Sequence, residues 1–367
     1  MENEGGFVSI HPTAIVGPGA VVGRDVEIGP YSVIGPNAVI GDGCKLHHHV
    51  TVEGHTTLGA KCQVYPQAIL GAAPQDVKYS GEKTTLDIGQ GNVFREMVTV
   101  HPGTANGGGV TRIGDGNLFL IGCHIAHDCR IGNRCIIANY VQFAGHVHVE
   151  DYVNMGGHCA VHHFVTVGKH AFVGGMTRVS ADVPPYMVVV AARGSRTEVR
   201  MVNGVGLERS GLSQEDIAAL KSAYMHIFAR RARLSGVGIC DRVQSVLDEN
   251  RSHEHVVNLC EFLLRSFAHG RHGRYLESLR VDPVHRNTWT PNHKHKVTVT
   301  VEGRGRVQQM QRPAVDHHGV AVELTATPDP GWGFDRWNGG LSGRDNPVRI
   351  LLDGDKNVTA TFVQHTH

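Results

Sequence analysis

Ile28-Gly29-Pro30-Tyr31-Ser32-Val33-Ile34-Gly35-Pro36-Asn37-Ala38-Val39-Ile40-Gly41 is the stretch that decides the fold. Its aliphatic residues recur every sixth position, and the same phase runs outward from Ile10 to Leu70. It restarts as Ile88, Phe94, Val100, and again from Ile113 through Ile125, Phe143 and Val161 to Val179. A stripe of period six would drift around an α-helix within two repeats. Two residues before each aliphatic position stands another small or β-branched side chain, as at Ala20, Val26, Ala38 and Cys44. That is strand alternation with one face inward. Gly directly after the stripe (Gly29, Gly35, Gly41) is read as the residue whose φ > 0 makes the bend. Three strand–corner units close a coil of about 18 residues, and stacked coils about 4.8 Å apart share one core. The reading is an all-β solenoid, a parallel β-helix of hexapeptides, over residues 1–190.

The count fails twice, between Leu70 and Ile88 and between Val100 and Ile113. Both segments read as loops ejected from the coil, and excursions from a rigid scaffold often carry function. After Val179 the count ends. Asp182-Val183-Pro184-Pro185-Tyr186 is expected to terminate the solenoid, because two prolines cannot continue a ladder. Residues 191–272 read as a helical cap, with Ser213 and Asp216 at a helix start and Ile217, Leu220, Tyr224 and Ile227 on its apolar face. Residues 273–295 read as a linker. Residues 296–367 alternate again and form a small β-rich module with Trp332 and Trp337 as core aromatics.

A net charge of +1 over 367 residues gives no nucleic-acid signal. No stretch is long enough for a membrane span, and the amino terminus lacks an apolar signal core, so the cytoplasm is the expected compartment. The eight cysteines show no CxxC pair. Cys123, Cys129 and Cys135 fall at inward positions and read as small core residues rather than metal ligands.

Most of the 26 histidines carry no signal. His127 is different, because it follows the core residue Ile125 by two and points outward from a rigid face with Asp128 beside it. A carboxylate next to an imidazole orients the ring and raises its basicity, which suits a general base. Gly145 lies one coil further along and leaves a backbone N–H uncovered, which suits an oxyanion hole. His146 and His162 extend the same surface strip. Three corner histidines without catalytic work are the competing reading of these residues.

Several motifs resemble the bacterial acyl-[acyl-carrier-protein]–UDP-N-acetylglucosamine O-acyltransferases. They are His11-Pro12-Thr13-Ala14, Gln75-Asp76-Val77-Lys78-Tyr79, His101 with Gly107-Gly108-Gly109, Ala126-His127-Asp128-Cys129, Ala144-Gly145-His146, Ala160-Val161-His162 and Asp182-Val183-Pro184-Pro185-Tyr186. The resemblance covers the first 270 or so residues. It implies a left-handed β-helix with a helical cap, assembled as a homotrimer. It implies transfer of an (R)-3-hydroxyacyl group from acyl carrier protein to the 3-hydroxyl of UDP-N-acetylglucosamine, the first step of lipid A synthesis, with no metal or soluble cofactor. His127 would be the base, Asp128 its partner and Gly145 the oxyanion donor. Asp76, His146 and His162 would contact the sugar nucleotide, Lys78 and His101 would line the cleft, and Asn203 and Arg209 would reach the nucleotide. Gly175 would border the acyl groove. The chain departs from the family pattern at His163, where glutamine is common near the sugar 2-substituent, and at Ser210, which replaces an arginine. The module from 296 onward resembles the divergent InlB-type bacterial repeat. Two other classes compete: a zinc hydratase of the γ-carbonic-anhydrase type, to which the spacing of His158 and His163 points, and a non-catalytic scaffold.

Overall fold

A computed structural model describes residues 8–192, 197–268, 270, 273–279, 297–313, 320–351 and 356–364. Each hexad forms a two-residue strand, such as Val33–Ile34 and Val39–Ile40. Glu27 pairs with Lys45, and Val33 with Thr51, so consecutive coils sit 18 residues apart. The strands form three sheets of eleven, nine and eight members, parallel throughout except for the last pairing of the first sheet. This is a left-handed parallel β-helix. The aliphatic stripe and the residues two before it fill one continuous core from Val26 to Val189. Ile10 is 43% exposed, and among the described residues no earlier coil covers it. Asn92 and Asn117 replace the small inward residue in two coils. Their amides bond Gly89, Gly114 and Gly132 carbonyls and each other, so burial leaves no polar atom orphaned.

The bend is not made where the sequence placed it. The left-handed residue stands three positions after the stripe and is seldom glycine: Tyr31, Tyr140, His146 and Phe164 have φ of 59°, 58°, 63° and 63°. The glycine directly after the stripe serves close approach instead. A side chain on Gly29 would meet the His47 backbone of the next coil at 2.8 Å.

The two breaks in the count are loops. Thr85 pairs with His55 across a span of 30 residues, and Val110 with Thr85 across 25. The prolines do not end the ladder either. Val183 bridges Val167, and Met187–Ala191 adds one further parallel strand before Thr197–Val202 returns antiparallel. Pro184 and Pro185 sit in the turn between these pairings, where no ladder donor is needed.

The cap contains the helices Gln214–Ile227, Ile239–Glu249 and Glu254–Ala268. The Ser213 hydroxyl accepts from the Asp216 N–H at 3.0 Å. Their apolar faces pack with Tyr186, Met187 and Val202, the last residues of the solenoid. Short helices at Gly204–Arg209 and Arg230–Arg233 have no periodic signal in the sequence. Within the expected linker, Tyr275–Ser278 is a helix, held because the Tyr275 N–H donates to buried Asp182 at 2.9 Å. Residues 280–296 of that linker lie outside the described residues.

Residues 292–367 form a second compact unit. Its described residues hold two three-stranded sheets. Trp337 is fully buried, donates from Nε1 to the Asp345 carbonyl at 2.9 Å, and packs with Phe334 and Phe362; Trp332 is partly buried in the same core. All eight cysteines are free thiols. Burial pushes Cys129 up to about 12, and its thiol donates to the Ala144 carbonyl. Among the described residues no helix is long and apolar enough to cross a membrane.

Candidate active site

Ile125 fixes the site. It is fully buried in the core, so the corner that follows must turn His127 and Asp128 away from it. They do not stand free in solvent as the sequence suggested. His127 is 9% exposed and Asp128 7%, because both ejected loops fold over them. His127 Nδ1 donates to Asp128 Oδ2 at 2.7 Å. The Thr104 N–H donates to Asp128 Oδ1 at 2.8 Å and the Thr104 hydroxyl to Oδ2 at 2.7 Å. From below, the Asp128 N–H donates to the Thr111 hydroxyl. The carboxylate is thereby fixed on both oxygens, and charge-assisted bonds of this kind are the strong ones.

Gly107 allows this arrangement. It ends the short helix Ala105–Gly107, and any side chain there would overlap the Asp128 carboxylate. The two loops also clasp each other: His101 Nδ1 donates to the Ala73 carbonyl at 2.7 Å, and the Ala105 N–H donates to Glu82. Burial lowers His101 from its usual range, and it takes His124 down to about 4, with His101 and His127 nearby adding to that effect. Both rings are neutral near pH 7.

With Nδ1 committed, His127 Nε2 is the free nitrogen. It faces Asp76 Oδ2 at 3.9 Å. Asp76 is set by its own turn, its Oδ1 accepting from the Lys78 N–H. The His127 ring lies over Gly145, where a side chain would meet ring atom Cε1 at 2.5 Å. Among the described residues the Gly145 N–H donates to nothing. A cleft of about 340 Å³ opens here, its wall including Gln75, His101, His124, Gln142, Gly145 and His163. The arrangement supplies an oriented base, a fixed carboxylate and a backbone donor, the parts needed for proton abstraction and acyl transfer.

The structure therefore brings together Asp76, His101, His127, Asp128, Gly145, His146 and His163. His146 Nδ1 is 3.8 Å from Asp128 Oδ2. His162 is close in sequence but out of register. Counting 18 from His146 arrives at Phe164, and His162 instead turns its Nδ1 to the His163 carbonyl. Lys78 lends Asp76 its backbone N–H, while its ammonium has no ion pair among the described residues. Asn203, Arg209 and Gly175 do not line this cleft. Asn203 caps the helix Gly204–Arg209 and donates to the His170 carbonyl. Arg209 is exposed, and Gly175 sits at another corner beside Met176, which is 80% exposed.

The sequence reading passed over His124, Gln142, Thr104 and Thr111. His124 pairs with Gln142, and Gln142 with Ala160, so the 18-residue register alone would have found that wall. Thr104 had no such signal because it lies in a loop. His158, one half of the spacing that suggested zinc, stacks on Tyr140 at a different corner. His127, Asp128 and His146 hold ligand atoms within 4.8 Å of one another, but both Asp128 oxygens already accept hydrogen bonds.

Comparison with known proteins shows the family. Residues 182–271 match the family described as UDP-N-acetylglucosamine O-acyltransferase, domain 2. Residues 7–40 and 111–145 match bacterial transferase hexapeptide repeats, and residues 295–366 match the divergent InlB B-repeat domain. A UDP-N-acetylglucosamine acyltransferase crystal structure is 38% identical, with a TM-score of 0.65, over 70% of this chain and 95% of that one. The Arabidopsis enzyme of that name is 36% identical, with a TM-score of 0.63, over 71% of this chain and 98% of its own. The Campylobacter jejuni enzyme is 34% identical, with a TM-score of 0.64, over 70% and 96%. Hexapeptide solenoid and helical cap are thus parts of one acyltransferase, and the chain belongs to the UDP-N-acetylglucosamine acyltransferase family.

Proposed function

We propose that the protein transfers an (R)-3-hydroxyacyl group from acyl carrier protein to the 3-hydroxyl of UDP-N-acetylglucosamine, the first step of lipid A synthesis. The observation that carries this reading is the 2.7 Å bond from His127 Nδ1 to Asp128, which leaves Nε2 open toward the cleft above Gly145. His127 Nε2 takes the proton of the sugar 3-hydroxyl, and that oxygen attacks the thioester carbonyl carbon. Asp128, held by Thr104, stabilises the imidazolium that forms. The Gly145 N–H receives the oxyanion. Collapse breaks the carbon–sulfur bond, and the carrier thiolate recovers the proton from Nε2. The products are a sugar ester and the free carrier thiol. Removing the base costs about 10²–10⁴-fold.

In this reading the active unit is a homotrimer. Val77 is fully exposed at the tip of the first loop, and Met176 stands exposed beside Gly175, both apolar groups suited to a second copy. Lys78, Gly175, Asn203 and Arg209 then serve a cleft shared between neighbours, with Lys78 at its mouth, Gly175 along the acyl chain and Asn203 with Arg209 toward the nucleotide. Mass spectrometry of products from UDP-N-acetylglucosamine and a panel of acyl-carrier thioesters tests the proposal. One acyl ester per sugar nucleotide is the expected product, lost in His127→Ala. No acylated sugar nucleotide with any thioester would overturn it.

A further inference from the structure

We propose that Phe164 is a positioning residue for the His127–Asp128 pair, acting through His146; this rests on the acyl-transfer reading of the same cleft. Asp128, His146 and Phe164 occupy the same corner of three successive coils, with φ of 62°, 63° and 63°. Register therefore stacks them in one column. The His146 ring is held on two sides. Its face lies on Phe164, with centroids 4.5 Å apart and planes 6° from parallel. It also meets the His127 ring in a T-shaped contact, with centroids 5.1 Å apart and planes at 88°. Phe164 is 5% exposed and does not line the cleft, so it is placed to act on the ring above it rather than on a substrate.

The stacking fixes where His146 Nδ1 points, 3.8 Å from the Asp128 oxygen that accepts the His127 Nδ1–H. An N–H or a positive charge there competes with His127 for the carboxylate. The direction of the His146 ring therefore bears on how firmly Asp128 holds His127. The other titratable groups facing His127 are Asp76, His101, His124 and His163, and Phe164 also packs beside His163, with ring centroids 6.3 Å apart. Without the aromatic face, His146 loses its stacking contact and the His127–Asp128 pair is less well aimed.

The test is the variant Phe164→Leu beside Phe164→Tyr, which keeps the stack, and Phe164→Met, which fills the space if leucine destabilises the fold. Two readouts are followed: kcat with KM for the sugar nucleotide, and the rate of His127 carbethoxylation by diethyl pyrocarbonate at fixed pH, read by peptide mass spectrometry. The second does not require acyl transfer, so the two proposals fail separately. Leu and Met are expected to lower kcat about tenfold with KM little changed, and to change the carbethoxylation rate about threefold or more. Tyr should restore both. Loss of transfer in the unaltered protein would sink the function; a His127 carbethoxylation rate unchanged in both Leu and Met would sink the role of Phe164.

Discussion

Gly107 sits over the Asp128 carboxylate so closely that no side chain fits between the loop and the acid. The loop that carries Gly107 also supplies both Thr104 bonds to Asp128. Gly107→Ala should therefore lift the loop and release the carboxylate while leaving the solenoid intact. Misplacement by about 1 Å costs on the order of 10²-fold in rate. Steady-state kinetics with a thermal melt checks this; full activity with an unchanged melt would show that the loop does not position Asp128.

Asp128→Asn keeps the shape but removes the charge that stabilises an imidazolium at His127. Asparagine must also turn its NH₂ toward one of the donors now bonded to Asp128, the Thr104 N–H or the His127 Nδ1–H. We expect kcat to fall by about 10²-fold or more with KM for the sugar nucleotide little changed. A loss confined to KM would place Asp128 in binding instead.

Stability should decline in mild acid. Burial holds His124 and His170 at about 4 in the fold, whereas an unfolded imidazole titrates near 6.5. Between those values the unfolded chain binds more protons, so stability falls as pH drops through this window. At pH 5.5 each histidine costs about 1 kcal/mol relative to pH 8, solvent screening of the half-buried rings included. Asp182, raised to about 6 by burial, acts in the opposite sense, favouring the fold as pH falls through 6, but offsets less than one of the two histidines. Urea unfolding at pH 8 and 5.5 should show a net loss, reduced in His124→Gln. Equal stability at both values would contradict the assignment.

Asp182 joins the last full coil to the cap. Its carboxylate accepts from the Thr166 N–H, the Ser266 hydroxyl and the Tyr275 N–H at 2.7, 2.7 and 2.9 Å. Asp182→Ala removes the shared acceptor of these three donors and should cost about 3 kcal/mol or more. Hydrogen exchange should rise first at Tyr275–Ser278. Uniform exchange across the chain would show that the cap does not depend on this carboxylate.

The period of six was enough to identify the coil, its core and the two loops, because burial of every sixth side chain is enforced by each coil on the next. It also placed His127 two residues beyond a core position, which is a covalent consequence of the count. It misassigned the bend, since glycine after the stripe is demanded by the neighbouring coil's backbone and not by its own φ. Proline was overread for a related reason: Pro184 and Pro185 fall at a corner between the Val183 bridge and the strand Met187–Ala191, where a missing N–H costs nothing.

The sequence by itself determined the repeat, the candidate base with its adjacent acid, and the places where the solenoid is interrupted. Tertiary structure decided which groups act on that pair. Thr104 reaches Asp128 across 24 residues, Asp76 faces His127 from the other loop, and Phe164 rather than His162 lies beneath His146. Loop closure and the 18-residue register create these contacts, and neither can be read from the residues that make them until the coils are stacked.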